Sequence, residues 1–184
     1  MRSWIISVLL GSTVVVASQG QDLRKTAAAK EACGAQEASF DVDALRAPAS
    51  VPIDPGKALV YVIEQESSTP AFCIGRCGGI TLKLGLDGRW IGAVNGSSYT
   101  MFSVAPGEHH MCANWQSHAK KLSEKVVLQD FTAEAGKTYY FITHDLATSP
   151  EAGSMANITF ESANPAEAKM LIEAYPQVKA TPKK

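Results

Sequence analysis

From residue 58 onward, apolar positions recur in short runs with a period near two, and each run stops at a turn signal. ALVYVIE (58–64) is dense in β-branched and aromatic residues and apolar on both faces, as a strand in the middle of a sheet would be. ITLKLGL (80–86) alternates, with Ile80, Leu82, Leu84 and Leu86 on one face and Thr81, Lys83 and Gly85 on the other. Asp87-Gly88 then supplies a two-residue hairpin turn, and RWIGAV (89–94) is the return strand. Asn95-Gly96 reads as a second turn of the same kind, leading into SYTMFSV (98–104). Pro106-Gly107 carries the residues of a type II turn before EHHMCANWQ (108–116). VVLQDFTA (126–133) and KTYYFITH (137–144) flank a turn at Ala135-Gly136, and SMANITFES (154–162) alternates with Ala156, Ile158 and Phe160 inward. Short strands at this spacing predict a mainly β fold, an antiparallel β-sandwich of about seven to eight strands.

The flanks differ from this pattern. Residues 22–34 (DLRKTAAAKEACG) predict a short helix, capped by Asp22 and ended by Gly34. Residues 46–57 hold Pro48, Pro52 and Pro55 and predict an irregular linker. Asn164-Pro165-Ala166-Glu167 is an N-cap, a proline at the first helical position and a capping-box Glu. Met170, Leu171 and Ala174 form the expected apolar stripe of that C-terminal helix, Pro176 stops it, and residues 177–184 are expected to be a mobile tail. The expected division is therefore 1–20, 21–57 (helix and Pro-rich linker), 58–163 (β domain) and 164–184 (helix and tail).

Residues 1–20 have the layout of a secretory signal peptide. Arg2 is the positive start, Trp4 to Ala17 carry no charge, and Ser18-Gln19-Gly20 offers small residues for cleavage. Cleavage is expected after Gly20, with Ser18 as the alternative site and retention as an anchor as the alternative fate. The apolar run falls short of the roughly 20 residues that span a bilayer, so no stable membrane span is expected after cleavage. The expected location is periplasmic or secreted.

Charge and cysteine content narrow the classes further. The chain has 17 Lys and Arg against 18 Asp and Glu, which gives no electrostatic reason to bind nucleic acid. Its four cysteines are Cys33, Cys73, Cys77 and Cys112. An even number in an exported chain predicts two disulfides, with three pairings possible. The glycines around Cys73 and Cys77 (CIGRCGG) let the backbone bend back, which favours Cys73–Cys77 with Cys33–Cys112.

The run GLDGRWIGAVNGSSYTMFSVAPGEHHMCANWQ, followed by FTAEAGKTYYF, resembles the bacterial domain-of-unknown-function family numbered 2846, over roughly residues 57–163. Its most specific parts are LDGRWIG, PGEHH with CANWQ, and FTAEAGKTYYF. That family occurs in exported and lipoprotein-like envelope proteins. The resemblance implies a β-rich envelope domain and no particular chemistry. No cysteine stands at the end of the apolar leader, as a lipid anchor would require.

Candidate chemistry is sparse. Cys73, Cys77, His109, His110 and Cys112 are of the types zinc accepts. Oxidised thiols do not ligate, however, and alternation puts His109 on the face of Met111, Ala113 and Trp115 and His110 on that of Glu108, Cys112 and Asn114. No metal or cofactor is expected. Cys73 and Cys77 are spaced C-x3-C rather than C-x-x-C, with Arg76 the one cation between them. No G-x-S-x-G elbow is present, and His144 and Asp145, adjacent on a strand, would point apart. No catalytic residue is expected. The aromatics Trp90, Tyr99, Phe102, Trp115, Phe131, Tyr139, Tyr140 and Phe141 are expected to be mostly core. Trp90 and Tyr99 flank turns and are the candidates for a binding surface facing an envelope protein or glycan. The reading is a non-catalytic envelope module that binds or supports. A redox or metal-handling protein using Cys73 and Cys77 is the alternative.

Overall fold

The computed structural model describes residues 33–34, 38–49, 54–66, 81–116, 126–147 and 156–184. The expected leader, the helix over 22–34 apart from its last two residues, Pro52, and Cys73, Arg76 and Cys77 lie outside the described residues. Gly34 has φ +82°, the left-handed conformation that glycine takes where a helix ends.

The described chain is mainly β. Its strands are β1 (Phe40–Ala44), β2 (Ala58–Glu66), β3 (Thr81–Leu86), β4 (Arg89–Asn95), β5 (Ser98–Val104), β6 (Gly107–Trp115), β7 (Val126–Ala133), β8 (Thr138–Ala147), β9 (Ala156–Ser162) and β10 (Val178–Pro182). One helix, α1 (Pro165–Ala174), precedes β10. Two four-stranded sheets, in the orders β5-β2-β8-β9 and β4-β3-β6-β7, are joined by a two-stranded ribbon, β1-β10.

The main core draws on both sheets. Val60 and Val62 of β2, Phe141 of β8 and Phe160 of β9 pack with Leu82 and Leu84 of β3, Met111 and Trp115 of β6 and Val94 of β4. The double-faced apolar character of β2 has its expected cause. Its even residues enter this core, while Ile63 packs with Ile142, Ala168 and Leu171 beneath α1.

Three expectations are corrected. First, the pairing is not wholly antiparallel, because β2 and β8 run parallel, with Val60 beside Tyr139 and Val62 beside Phe141. Second, Asn95-Gly96 does not close a hairpin: β4 and β5 belong to different sheets. Its Gly96 (φ +53°) turns the chain across the core, whereas Asp87 (φ +49°) and Gly88 (φ +79°) do close the β3–β4 hairpin. A turn residue fixes local backbone direction, not which strand lies alongside. Third, the flanks hold two strands that were not expected, whereas the described residues of the expected linker over 46–57 are irregular. β1 falls within the segment expected to be helix and linker, and β10 within the expected mobile tail, with Phe40 opposite Pro182 and Ala44 opposite Val178. Val178 is buried in the main core and Val42 packs against it, so the ribbon is held by apolar contacts as well as by its own ladder.

The C-terminal helix starts as its residues dictate. Asn164 accepts a hydrogen bond from the Ala166 N–H at 2.8 Å, with Pro165 at the first turn and Glu167 beside it. Its buried stripe differs from the expectation. Ala168 and Leu171 face the sheet, Ile172 and Tyr175 flank them, and Met170 is 63% exposed. Spacings of three and four residues from Ala168 put these positions on one face and turn Met170 away.

Candidate functional site

Cys33 and Cys112 are joined by a disulfide with a Cα–Cα distance of 5.7 Å across 79 residues of sequence. It lies on the outer face of the β4-β3-β6-β7 sheet with Val126, Trp90 and Leu128. This covering explains why Lys83 and Gly85, on the face of β3 opposite its leucines, are buried too. Gly85 has a steric reason to be glycine. A Cβ there would sit 3.0 Å from the Cys33 carbonyl oxygen and 3.1 Å from its Cα, and would press on Cys112 Sγ. Lys83 Nζ lies 4.4 Å from the centre of the Trp90 ring, a cation–π contact.

The aromatic binding surface proposed from the turns is therefore corrected. Tyr99 is 4% exposed, packed with Ile63 and Leu171 under α1, because its odd position on β5 faces the helix side of the sheet. Trp90 is half-buried against the disulfide on the other sheet. The two rings belong to separate clusters and form no joint platform. Tyr99 instead ends a tyrosine row, with Tyr61 6.1 Å away and Tyr140 stacked on Tyr61 at 5.3 Å. Burial, and then the neighbouring rings, push the Tyr61 hydroxyl above its ordinary range.

His109 and His110 take different partners. His109 Nδ1 is 2.7 Å from Asp87 Oδ2, and its Nε2 is 2.7 Å from the Ala105 carbonyl oxygen. His110 Nδ1 is 2.8 Å from Asp130 Oδ1. The His110 N–H donates to Asp87 Oδ1, and the Asp87 N–H donates to the His110 carbonyl, each at 2.9 Å. Both partners of the His109 ring are acceptors, so both bonds form only when the ring is the doubly protonated imidazolium. Burial pulls the His109 ring downward, but the Ala105 carbonyl and the Asp87 carboxylate outweigh it and the ring is raised. Burial likewise pushes Asp87 upward, and its hydrogen bonds from His110 and His109 outweigh that to leave it lowered. This group clasps the β3–β4 and β5–β6 turns together. Among the described residues, no group of three or more His, Cys, Asp or Glu side chains could hold a metal ion.

His144 and Asp145 do point apart. Asp145 is buried, while His144 faces Glu161 at 3.7 Å. A buried carboxylate that the sequence reading passed over is Glu64, on the same inward face as Val60 and Val62, and both it and Asp145 are engaged by other groups. The inward parity of ALVYVIE was the signal that could have found it.

One concavity combines open edges with apolar lining. A cavity of about 270 Å³ lies between the facing edges of β4 and β5 and beneath the ribbon. Ile91, Gly92, Thr100, Phe102, Gln177 and Lys179 are among its walls. Ile91 reaches it through a β-bulge. Leu84 pairs with Gly92 and Gly85 with Trp90, so Ile91 is the extra residue, and it stays 41% exposed. Gln177 anchors the roof: its side-chain oxygen accepts from the Ala49 N–H at 2.7 Å and its carbonyl from the Leu45 N–H at 2.8 Å. The far end of the ribbon is held by Gln116, whose amide both accepts from the Phe40 N–H (2.6 Å) and donates to the Phe40 carbonyl (2.8 Å).

These features define a mainly β protein with one packed helix, a disulfide and an edge groove. None of the protein-family models, curated proteins or solved structures with which the chain was compared matches it.

Proposed function

We propose that this chain is an exported, non-catalytic β-sandwich module of the bacterial envelope that binds a partner in the groove between β4 and β5. The groove carries the reading. It is a concave site whose walls mix apolar residues such as Leu84, Ile91 and Phe102 with the polar Thr100, Gln177 and Lys179, a combination that ligand sites use. The bulge that aims Ile91 at it is the kind of irregularity that recurs beside functional sites. The Cys33–Cys112 disulfide is compatible with an oxidising compartment, and the leader-like residues 1–20 supply the route there. Kinship with the family numbered 2846, on the LDGRWIG, PGEHH and FTAEAGKTYYF segments, is part of the proposal and adds no activity to it.

The test is a ligand screen read by backbone amide shifts of the oxidised protein. Ligands are expected to move Ile91, Gly92, Thr100 and Lys179 together, and Ile91→Trp, which fills the groove from a half-exposed position, is expected to weaken them. Hits scattered over the surface, or gathered at the His109 clasp, would overturn the reading.

A further inference from the structure

The hydrogen-bonding edge of β5 has a direction that the chain itself reveals. The Tyr99 N–H donates to the Pro176 carbonyl at 3.1 Å, and Gln177 forms an isolated parallel bridge with Tyr99. The odd residues of β5 therefore turn their N–H and C=O outward, away from β2. The even residues then pair with the even residues of β2, in keeping with Leu59, whose N–H turns the other way to donate to the Lys137 carbonyl. After the Tyr99 rung the chain leaves this edge, and β10 pairs with β1 instead. Met101 and Ser103 are the next two outward rungs. Among the described residues no strand other than β2 pairs with β5. Two donor–acceptor pairs, roughly 6.6 Å apart along the strand, thus face out of the sheet, and Met101 is also in the cavity wall.

Resting on the groove reading above, we infer that the ligand is a short extended peptide segment, added as a strand to the β5 edge at Met101 and Ser103 with one apolar side chain set against Ile91 and Phe102. Donors and acceptors repeated every second residue match an extended backbone and no other common ligand. The Pro176–Gln177 step shows that extended backbone already fits the first rung of this edge. Main-chain bonds supply the affinity, and the bulged Ile91 supplies the selection of a side chain.

The probe is the blocked peptide acetyl-Thr-Val-Thr-Val-Thr-amide, compared with the same peptide N-methylated at alternate residues. Methylation removes backbone donors and keeps every side chain. Titrated into the oxidised protein, the parent peptide is expected to shift the Met101, Ser103 and Ile91 amides saturably. The methylated one is expected to bind roughly tenfold more weakly, the loss of about two net hydrogen bonds. Equal binding by both overturns the inference while leaving the groove as a side-chain site. Binding by neither overturns it and leaves the ligand screen to decide the groove. Shifts at Met101 and Ser103 that grow with protein concentration and no peptide would overturn it in favour of a second copy of the chain.

On the protein side, Met101→Pro removes the outward N–H at an edge position where proline is tolerated, and Met101→Ala keeps it. The proline variant, which removes one such bond, is expected to lose binding roughly threefold relative to the alanine variant. If the proline variant fails to fold, the methylated peptide still decides.

Discussion

At the scale of single residues, the His109–Asp87 clasp makes stability depend on pH, and its sign follows from the direction of each shift. His109 is raised above its ordinary value of 6.5, so its contribution is fully present below that value and fades as pH rises through the higher folded value. Asp87 is lowered from 3.8, so its contribution is present above that value and fades as pH falls through the lower folded one. The clasp is therefore complete between the two ordinary values. Thermal unfolding followed across pH 3 to 9 is expected to show this plateau. Asp87→Asn keeps a residue suited to the left-handed turn conformation but removes the charge. It is expected to bring the His109 titration back toward an ordinary imidazole, read by ring-proton NMR, and to cost about 1 kcal/mol, a modest figure because Asp87 is half-exposed. Gly85→Ala is the sterically sharper change. The added methyl meets Cys33 backbone and the disulfide, so the variant is expected to lower the melting temperature and to move the Trp90 fluorescence as the Cys33 segment lifts.

At the scale of elements, most strands were legible from their residues, but of their neighbours only the β3–β4 hairpin at Asp87-Gly88 was. ALVYVIE, ITLKLGL and SYTMFSV announce strands through β-branched and alternating apolar residues, and Asn164-Pro165 announces a helix start. Which strand lies beside which is decided by distant matches. Val60 opposite Phe102 and Val62 beside Phe141 join segments whose sequence spacing gives no hint of contact. FDVDA and VKATP carry little strand signal because each is short and interrupted by polar residues, and each pairs only with the other. The groove was invisible for the same reason, since its walls come from β3, β4, β5 and the ribbon, elements with no shared sequence signal. The ribbon also gives a test of its own. Val178→Asp puts a carboxylate into the apolar core and is expected to destabilise by roughly 3 kcal/mol or more. Hydrogen exchange is expected to show the Asp43 and Lys179 amides, which pair across the ribbon, losing protection before those of β2 and β8. If those amides exchange no faster than in the parent protein, the ribbon does not depend on Val178.

For the whole molecule, layers are stacked and fastened from outside. The α1 helix covers one sheet, the Cys33–Cys112 bridge covers the other, and the ribbon spans the gap between their edges. In the chain-entropy description, closing a loop of 79 residues adds roughly 4–5 kcal/mol, and native strain reduces what is measured. Cys33→Ser with Cys112→Ser is accordingly expected to cost roughly 2–5 kcal/mol in denaturant unfolding at fixed pH. An unchanged midpoint would mean that packing alone holds the Cys33 segment. With the ribbon and groove intact in that variant, peptide binding at β5 is expected to persist, which separates the fastening from the binding.

The pairing of β1 with β10 also imposes an order in time. A chain that emerges with its N-terminus leading, from a ribosome or a translocation pore, presents β1 long before β10 exists to meet it. Until then the flank of the core between β4 and β5 lies open, and its bare strand edges invite wrong partners. A holding factor that recognises extended, apolar polypeptide would be most needed in that interval, and its release would coincide with the arrival of residues 178–182.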